Sequence, residues 1–159
     1  MDIPAFLLKL RLPVLQSAKT LQQAAALPYV WTADGLEVAM VTSRGRGRWI
    51  VPKGWPEKAL SLRDVAALEA LEEAGLEGEV AAEPVGFFDY PKQIDQGYKV
   101  ACRVLVFPLL VSVQRLRWKE QKQRRVAWMP VATAAIHADD VGLARLLAEI
   151  AADPNRLKA

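Results

Sequence analysis

The sequence predicts an α+β or α/β sandwich, with mixed strands packed against one central helix and one C-terminal helix. Three patterns carry that expectation. Apolar strand-like runs recur over residues 29–42, 80–88 and 98–113. A helical segment opens at Ser61 and stops at Gly75. Near the end, Leu143, Leu146, Leu147 and Ile150 stand at i, i+3, i+4 and i+7, the spacing of one helical face.

In chain order, residues 1–27 are expected to form an N-terminal extension that packs on the domain. Pro4 and Pro13 interrupt its leucines, so no continuous helix is read there. Residues 29–42 read as a hairpin turning at Ala33, Asp34 and Gly35. Residues 44–48 form a basic, glycine-spaced loop, and Trp49, Ile50 and Val51 a short strand ending at Pro52. Ser61 with Asp64 three residues on has the form of a capping box, and Gly75 is the stop. The helix between them spans about 21 Å over roughly 14 residues. Strands over 80–88 and 98–113 follow, separated by a polar loop holding Pro91 and Gly97. A last short strand over 125–129 leads to helical segments over 132–136 and 141–151. The domain proper is set at 28–151, with a C-terminal tail over 152–159.

At 159 residues one domain is expected, burying roughly 68–70% of its unfolded surface. Apolar residues at 52% and charged residues at 25% describe a soluble globule. The net charge of +3 is too mild to argue for nucleic acid. Its distribution is more informative. Acids concentrate between Glu57 and Asp89, flanked by Arg44, Arg46, Arg48 and Lys53 before them and by the bases of 115–125 after them. Acids lying between bases suit an anionic ligand bridged by a metal better than a long polyanion. The single Cys102 excludes an internal disulfide and reads as a small core residue, and the single His137 excludes a multi-histidine zinc site. The N-terminus lacks the basic region and unbroken apolar core of a signal peptide, and no run approaches the roughly 18 apolar residues of a membrane span. A cytoplasmic protein with no membrane partner is expected.

Glu69, Glu72 and Glu73 stand at i, i+3 and i+4 on the central helix, while Ala67, Ala70, Leu71 and Ala74 line its other side. Like charges about 4 Å apart repel by roughly 4 kcal/mol at an effective dielectric near 20. Such a face is either solvated or supplied with a cation. The loop ahead of it favours the cation: Gly54 permits close backbone approach, Pro52 and Pro56 stiffen the turn, and Lys53 adds a base.

The segment from Gly54 to Leu76 resembles the Nudix box, G-x5-E-x7-R-E-U-x-E-E-x-G-U, with U aliphatic. Gly54 takes its first position and Glu69 the glutamate after the arginine. Ala70 is a small occupant of the first U, Glu72 and Glu73 are the paired glutamates, and Gly75 and Leu76 close it. Two positions depart: Leu60 stands for the first glutamate and Leu68 for the arginine, the pair that braces loop against helix in the family. A packed apolar pair in place of a buried ion pair is often neutral or stabilising, so Leu60 and Leu68 are read as a compensated substitution. Beyond the box, SRGRGRWIVPKGWPEK and RWKEQKQRRVAWMPVATAA resemble bacterial Nudix proteins similar to diphosphoinositol polyphosphate phosphohydrolases. The resemblance covers roughly residues 27–147.

That resemblance implies an α/β/α sandwich, a mixed β-sheet between helices. It implies hydrolysis of a pyrophosphate linkage in a small phosphorylated substrate, with Mg²⁺ or Mn²⁺ held by Glu72 and Glu73 and with Glu69 as a further ligand or base. The Gly54 carbonyl would complete the coordination. Which glutamate is the base differs among members. A non-catalytic module binding a phosphorylated ligand or partner on the same fold stays open, as do a monomer and a homodimer. Arg44, Arg48, Lys53 and Lys58 are the candidates for stabilising phosphate charge. Arg46 reads as a surface base. Trp31, Trp49, Trp55, Trp118 and Trp128 suit either a nucleobase or core packing. Arg103 reaches the site or marks a wet strand face, residues 119–125 read as a solvated loop, and His137 as a surface residue near a helix end.

Overall fold

The computed structural model describes residues 20–95 and 97–158. A mixed sheet lies between helices, as expected. Strands β1 (Leu21–Thr32) and β2 (Gly35–Thr42) form the hairpin around the Ala33–Asp34 turn. The short β3 (Trp49–Ile50) pairs with β2, and β4 (Lys53–Gly54) pairs with β1. Helix α1 (Leu62–Glu69) continues into a wider π turn (Ala70–Ala74) before β5 (Leu76–Val80). Strands β6 (Gly86–Asp95), β7 (Tyr98–Gln114) and β8 (Val126–Pro130) follow, then α2 (Val131–His137), α3 (Val141–Ala152) and a 3-10 turn (Pro154–Lys158). The central path runs β3-β2-β1-β7-β5; β1 and β7 are parallel and the other pairings antiparallel.

Alternation along β1 and β7 divides the interior. Ala25, Leu27, Val104 and Val106 face α2 and α3, where they pack with Leu143, Leu147 and Ile150. Ala24, Ala26, Phe107 and Leu109 face the opposite way and pack with Val65, Ala66 and Ala70 of the box helix. A two-residue period on each strand therefore builds two apolar layers on one sheet. The alanines of β1 let α1 lie close to the sheet, and that closeness positions the site. No helix among the described residues is long and apolar enough to cross a membrane.

Several element boundaries move. Residues 21–27 belong to the central strand rather than to an extension: Leu21 to Tyr29 pair with Cys102 to Leu110, and Ala24 to Leu27 are fully buried. QQAAA carries little intrinsic strand preference, and pairing with β7 overrides it. Residues 1–19 of the expected extension lie outside the described residues. The expected strand over 80–88 is two strands, because β5 pairs with the C-terminal part of β7 and β6 with its N-terminal part. Pro84 sits in the crossover between them. Pro91 lies within β6 rather than in a loop. Its lack of an N–H is tolerated on a strand paired on one side only. The expected tail also packs, since Leu157 is buried and its carbonyl accepts from the Tyr29 hydroxyl at 3.4 Å.

Leu60 and Leu68 do not form the expected buried pair. Leu60 is 37% exposed, and neither leucine belongs to a core cluster. Leu68 instead borders a shallow depression with Leu71 and Leu109. Arg63 makes a different tie, to β5 rather than to the loop. Its guanidinium donates to the carbonyl of Val80 at 2.6 and 3.0 Å and to that of Ala81 at 3.2 Å, joining the start of α1 to the end of β5.

Candidate active site

The local sequence places the acids through two anchors. At the first, Gly54 and Lys53 of β4 pair with Ala24 and Ala25 of β1, which sets the loop against the sheet. At the second, the Ser61 side chain accepts from the Asp64 N–H at 3.1 Å, capping α1. Gly75, at φ +69°, ends the π turn in the left-handed conformation that glycine adopts without strain. Between the anchors, a Cβ added at Gly54 would run into the Glu69 carboxylate. Only glycine lets the loop and the acidic helix approach this closely. The widened turn carries Glu72 and Glu73, and single π turns recur at functional sites.

Glu69 and Glu73 share a hydrogen bond. Glu73 is 4% exposed. Burial, then that bond, pushes its pKa up to about 9 against the opposing pull of Arg124. Burial also raises Glu69. Glu72 is more open and is held by Lys119, Nζ to Oε2 at 3.1 Å. Lys53 is half-buried nearby; desolvation lowers its pKa, while Glu73 and Asp140 pull it back up. Its Nζ lies 5.4 Å from the Tyr90 ring centroid, and the Tyr90 hydroxyl donates to Gln23 Oε1 at 2.7 Å.

A cleft of about 940 Å³ opens over these groups and brings together Gly54, Glu69, Glu72, Glu73, Lys53 and Arg44. Two expected bases are elsewhere. Arg48 is paired with Asp139 at 3.2 Å, and neither it nor the exposed Lys58 lines the cleft. Arg103 marks the wet face of its strand, paired with Asp89 at 2.9 Å and stacked 4.1 Å from the Phe87 centroid. Of the tryptophans, Trp55 lines the cleft with Lys92 5.9 Å from its ring, whereas Trp49 and Trp128 pack against core clusters. Cys102 is buried and His137 exposed, as expected.

Residues 119–125 form a largely exposed strap, as expected, but its Glu120 and Arg124 side chains turn inward. This strap lies along the acidic turn, anchored where the Glu120 N–H donates to the Glu72 carbonyl at 2.9 Å. Arg124, its side chain 9% exposed, bonds Glu120 at 3.0 Å and the Thr42 carbonyl at 3.1 Å. It also reaches Glu73 at 3.7 Å. Arg44 closes on the strap, donating to Gln123 Oε1 at 3.4 Å. The i, i+4 spacing of Glu120 and Arg124 was the available signal in the sequence, but nothing local indicates which helix the strap covers.

The donor set fits a hard divalent cation. Glu73 Oε1 is buried without a donor, and burial beside Glu69 disfavours its charge, a need that a cation held by the two carboxylates would meet. Among the described residues no three His, Cys, Asp or Glu side chains stand as a ready-made metal cluster. Glu69 and Glu73 converge, while Lys119 draws the Glu72 carboxylate.

No family model matches the chain. Nudix hydrolase 12, mitochondrial, from Arabidopsis thaliana is 31% identical over 102 residues, covering 62% of this chain and 50% of that protein. Nudix hydrolase 17, mitochondrial, from the same plant is 34% identical over 102 residues, covering 64% and 54%. The chain thus spans about half the length of the curated relatives it matches. Among solved structures, C. elegans Ap4A hydrolase superposes with a TM-score of 0.62 at 17% identity, over 84% of this chain and 98% of that one. The NUDIX domain of Shewanella oneidensis NrtR, complexed with ADP ribose, gives 0.60 at 18% identity over 92% and 97%. The chain has the Nudix fold, and its curated and structural neighbours together support the Nudix hydrolase family.

Proposed function

We propose that the chain is a metal-dependent pyrophosphohydrolase. Its substrate class would be a nucleoside-diphosphate-linked compound, a dinucleoside polyphosphate or a diphosphoinositol polyphosphate, cleaved by water attack on phosphorus. One observation carries this reading: Glu69 and the buried Glu73 converge opposite Gly54, with an acceptor oxygen of Glu73 left without a donor. Glu69, Glu72 and Glu73, with the Gly54 carbonyl, are the groups that would hold Mg²⁺ or Mn²⁺. When bound, such an ion neutralises phosphate oxygens and acidifies a water. Lys53 and Arg44 face the same cleft and would meet phosphate charge from the loop side. Arg124 steadies Glu73 and Glu120 from below. The likeness to C. elegans Ap4A hydrolase supports the dinucleoside polyphosphate member of the class. The sequence resemblance supports the diphosphoinositol member. A cytoplasmic monomer or homodimer is part of the same proposal.

A non-catalytic phosphate-ligand module is the second reading. The likeness to a NUDIX domain complexed with ADP ribose and the capture of Glu72 by Lys119 favour it. A panel of dinucleoside polyphosphates, diphosphoinositol phosphates, ADP-ribose and nucleoside triphosphates, assayed for phosphate release with Mg²⁺ and Mn²⁺, separates the two. Turnover that drops by about 10²–10³-fold in Glu72→Gln or Glu73→Gln is expected. No release from any member, together with Mn²⁺ binding unchanged in both variants, would defeat the enzyme reading.

A further inference from the structure

We propose that Lys119 is an exchangeable counter-ion: it neutralises Glu72 while the metal site is empty and, once displaced by the cation, turns to bind substrate phosphate. The proposal rests on the metal site described above and assigns a second role to a residue outside the box. Three observations carry it. The Lys119 ammonium is 3.1 Å from Glu72 Oε2, occupying the one acid of the three that does not join the Glu69–Glu73 pair. The ammonium also lines the cleft, with its side chain 72% exposed, so no packing holds it to Glu72. The backbone beside it is fixed, because the Glu120 N–H donates to the Glu72 carbonyl at 2.9 Å. A flexible four-carbon stem on a tethered backbone swings its charge without leaving the cleft.

Charge repulsion favours an exchange. A divalent cation at Glu72 takes the carboxylate and repels the ammonium, which then faces a cleft holding an anionic ligand. The same lysine therefore opposes metal binding in the free protein and favours phosphate binding in the loaded one. Lys92 supplies the control. It lines the same cleft but lies over the Trp55 ring rather than on an acid of the helix.

Titrating Mn²⁺ into the ligand-free protein, followed by calorimetry, tests the first half. Lys119→Met should bind Mn²⁺ about two- to fivefold more tightly than wild type, the range for an exposed ion pair. Lys119→Arg and Lys92→Met should stay within about 1.5-fold of wild type. Titrating methylenediphosphonate, whose P–C–P bridge resists hydrolysis, into Mn²⁺-saturated protein tests the second half. There Lys119→Met should bind at least about threefold more weakly, with Lys119→Arg close to wild type. Unchanged Mn²⁺ affinity in Lys119→Met, an equal gain in Lys92→Met, or unchanged diphosphonate affinity would each overturn the exchange. Wild-type protein that binds no Mn²⁺ would overturn the metal site itself, an outcome distinct from any of these.

Discussion

Burial and the bond to Glu69 hold the Glu73 carboxyl up at about 9, against an ordinary value of 4.5. A carboxyl whose pKa is raised on folding binds its proton more tightly folded than unfolded. Its favourable contribution is complete below about pH 4.5 and is lost as the pH climbs toward 9. Metal-free protein is therefore expected to lose stability across that window. Glu73→Gln should remove the loss, since the amide stays neutral and still donates to Glu69. Thermal melts in EDTA from pH 5 to 9 check this. Near pH 8.5 the variant should melt at least about 2–4 °C above wild type, the shift expected for roughly 1 kcal/mol in a domain this size. Near pH 5 the two should coincide. The same variant should gain nothing from Mn²⁺, whereas wild type should be stabilised by it. A variant no more stable than wild type at high pH would show that Arg124 and Lys53 already keep the carboxylate ionised.

At the scale of elements, Arg63 holds the start of α1 to the end of β5 through three donor contacts on two carbonyls. Arg63→Met should cost about 1–2 kcal/mol in denaturant melts, the worth of charge-assisted hydrogen bonds at a partly open site. Leu60→Glu should stay within about 0.5 kcal/mol, because an exposed leucine gives up little. A large loss at Leu60 with none at Arg63 would restore the apolar brace. The contrast also shows what the sequence could tell. The helix, its serine cap, its glycine stop and its acid spacing are local, and all are readable in 23 consecutive residues. The first half of β1 is not, because its alanines are chosen for helix approach rather than strand preference, and only pairing with β7 makes them a strand. The Arg124–Glu120 strap is less readable still. Its partners are Thr42 and Glu73, and no sequence period links residues that far apart.

For the whole molecule, the sheet separates two apolar layers with different duties. Leu143, Leu147 and Ile150 fill the layer on the side of α2 and α3, whereas on the side of the acidic helix Ala24 and Ala26 meet Val65, Ala66 and Ala70, with Phe107 and Leu109 in the same cluster. The small side chains where α1 meets β1 let the Glu69 carboxylate stand against Gly54, so the two layers should respond differently to substitution. Leu147→Ala opens a cavity on the far side and should cost about 2–5 kcal/mol in global stability. Mn²⁺ affinity, measured under conditions where the variant is folded, should stay within about twofold because nothing across the sheet has to move. Ala66→Leu overpacks the near side and should cost only about 1–3 kcal/mol. It lifts α1 from β1, however, and should weaken Mn²⁺ binding more than about tenfold, as metal–oxygen distances tolerate only about a few tenths of an ångström. Equal losses of metal affinity in the two variants would mean that the sheet does not insulate the acidic turn from the layer behind it. In that case the geometry of the site would depend on the whole core rather than on the alanines of one strand and one helix.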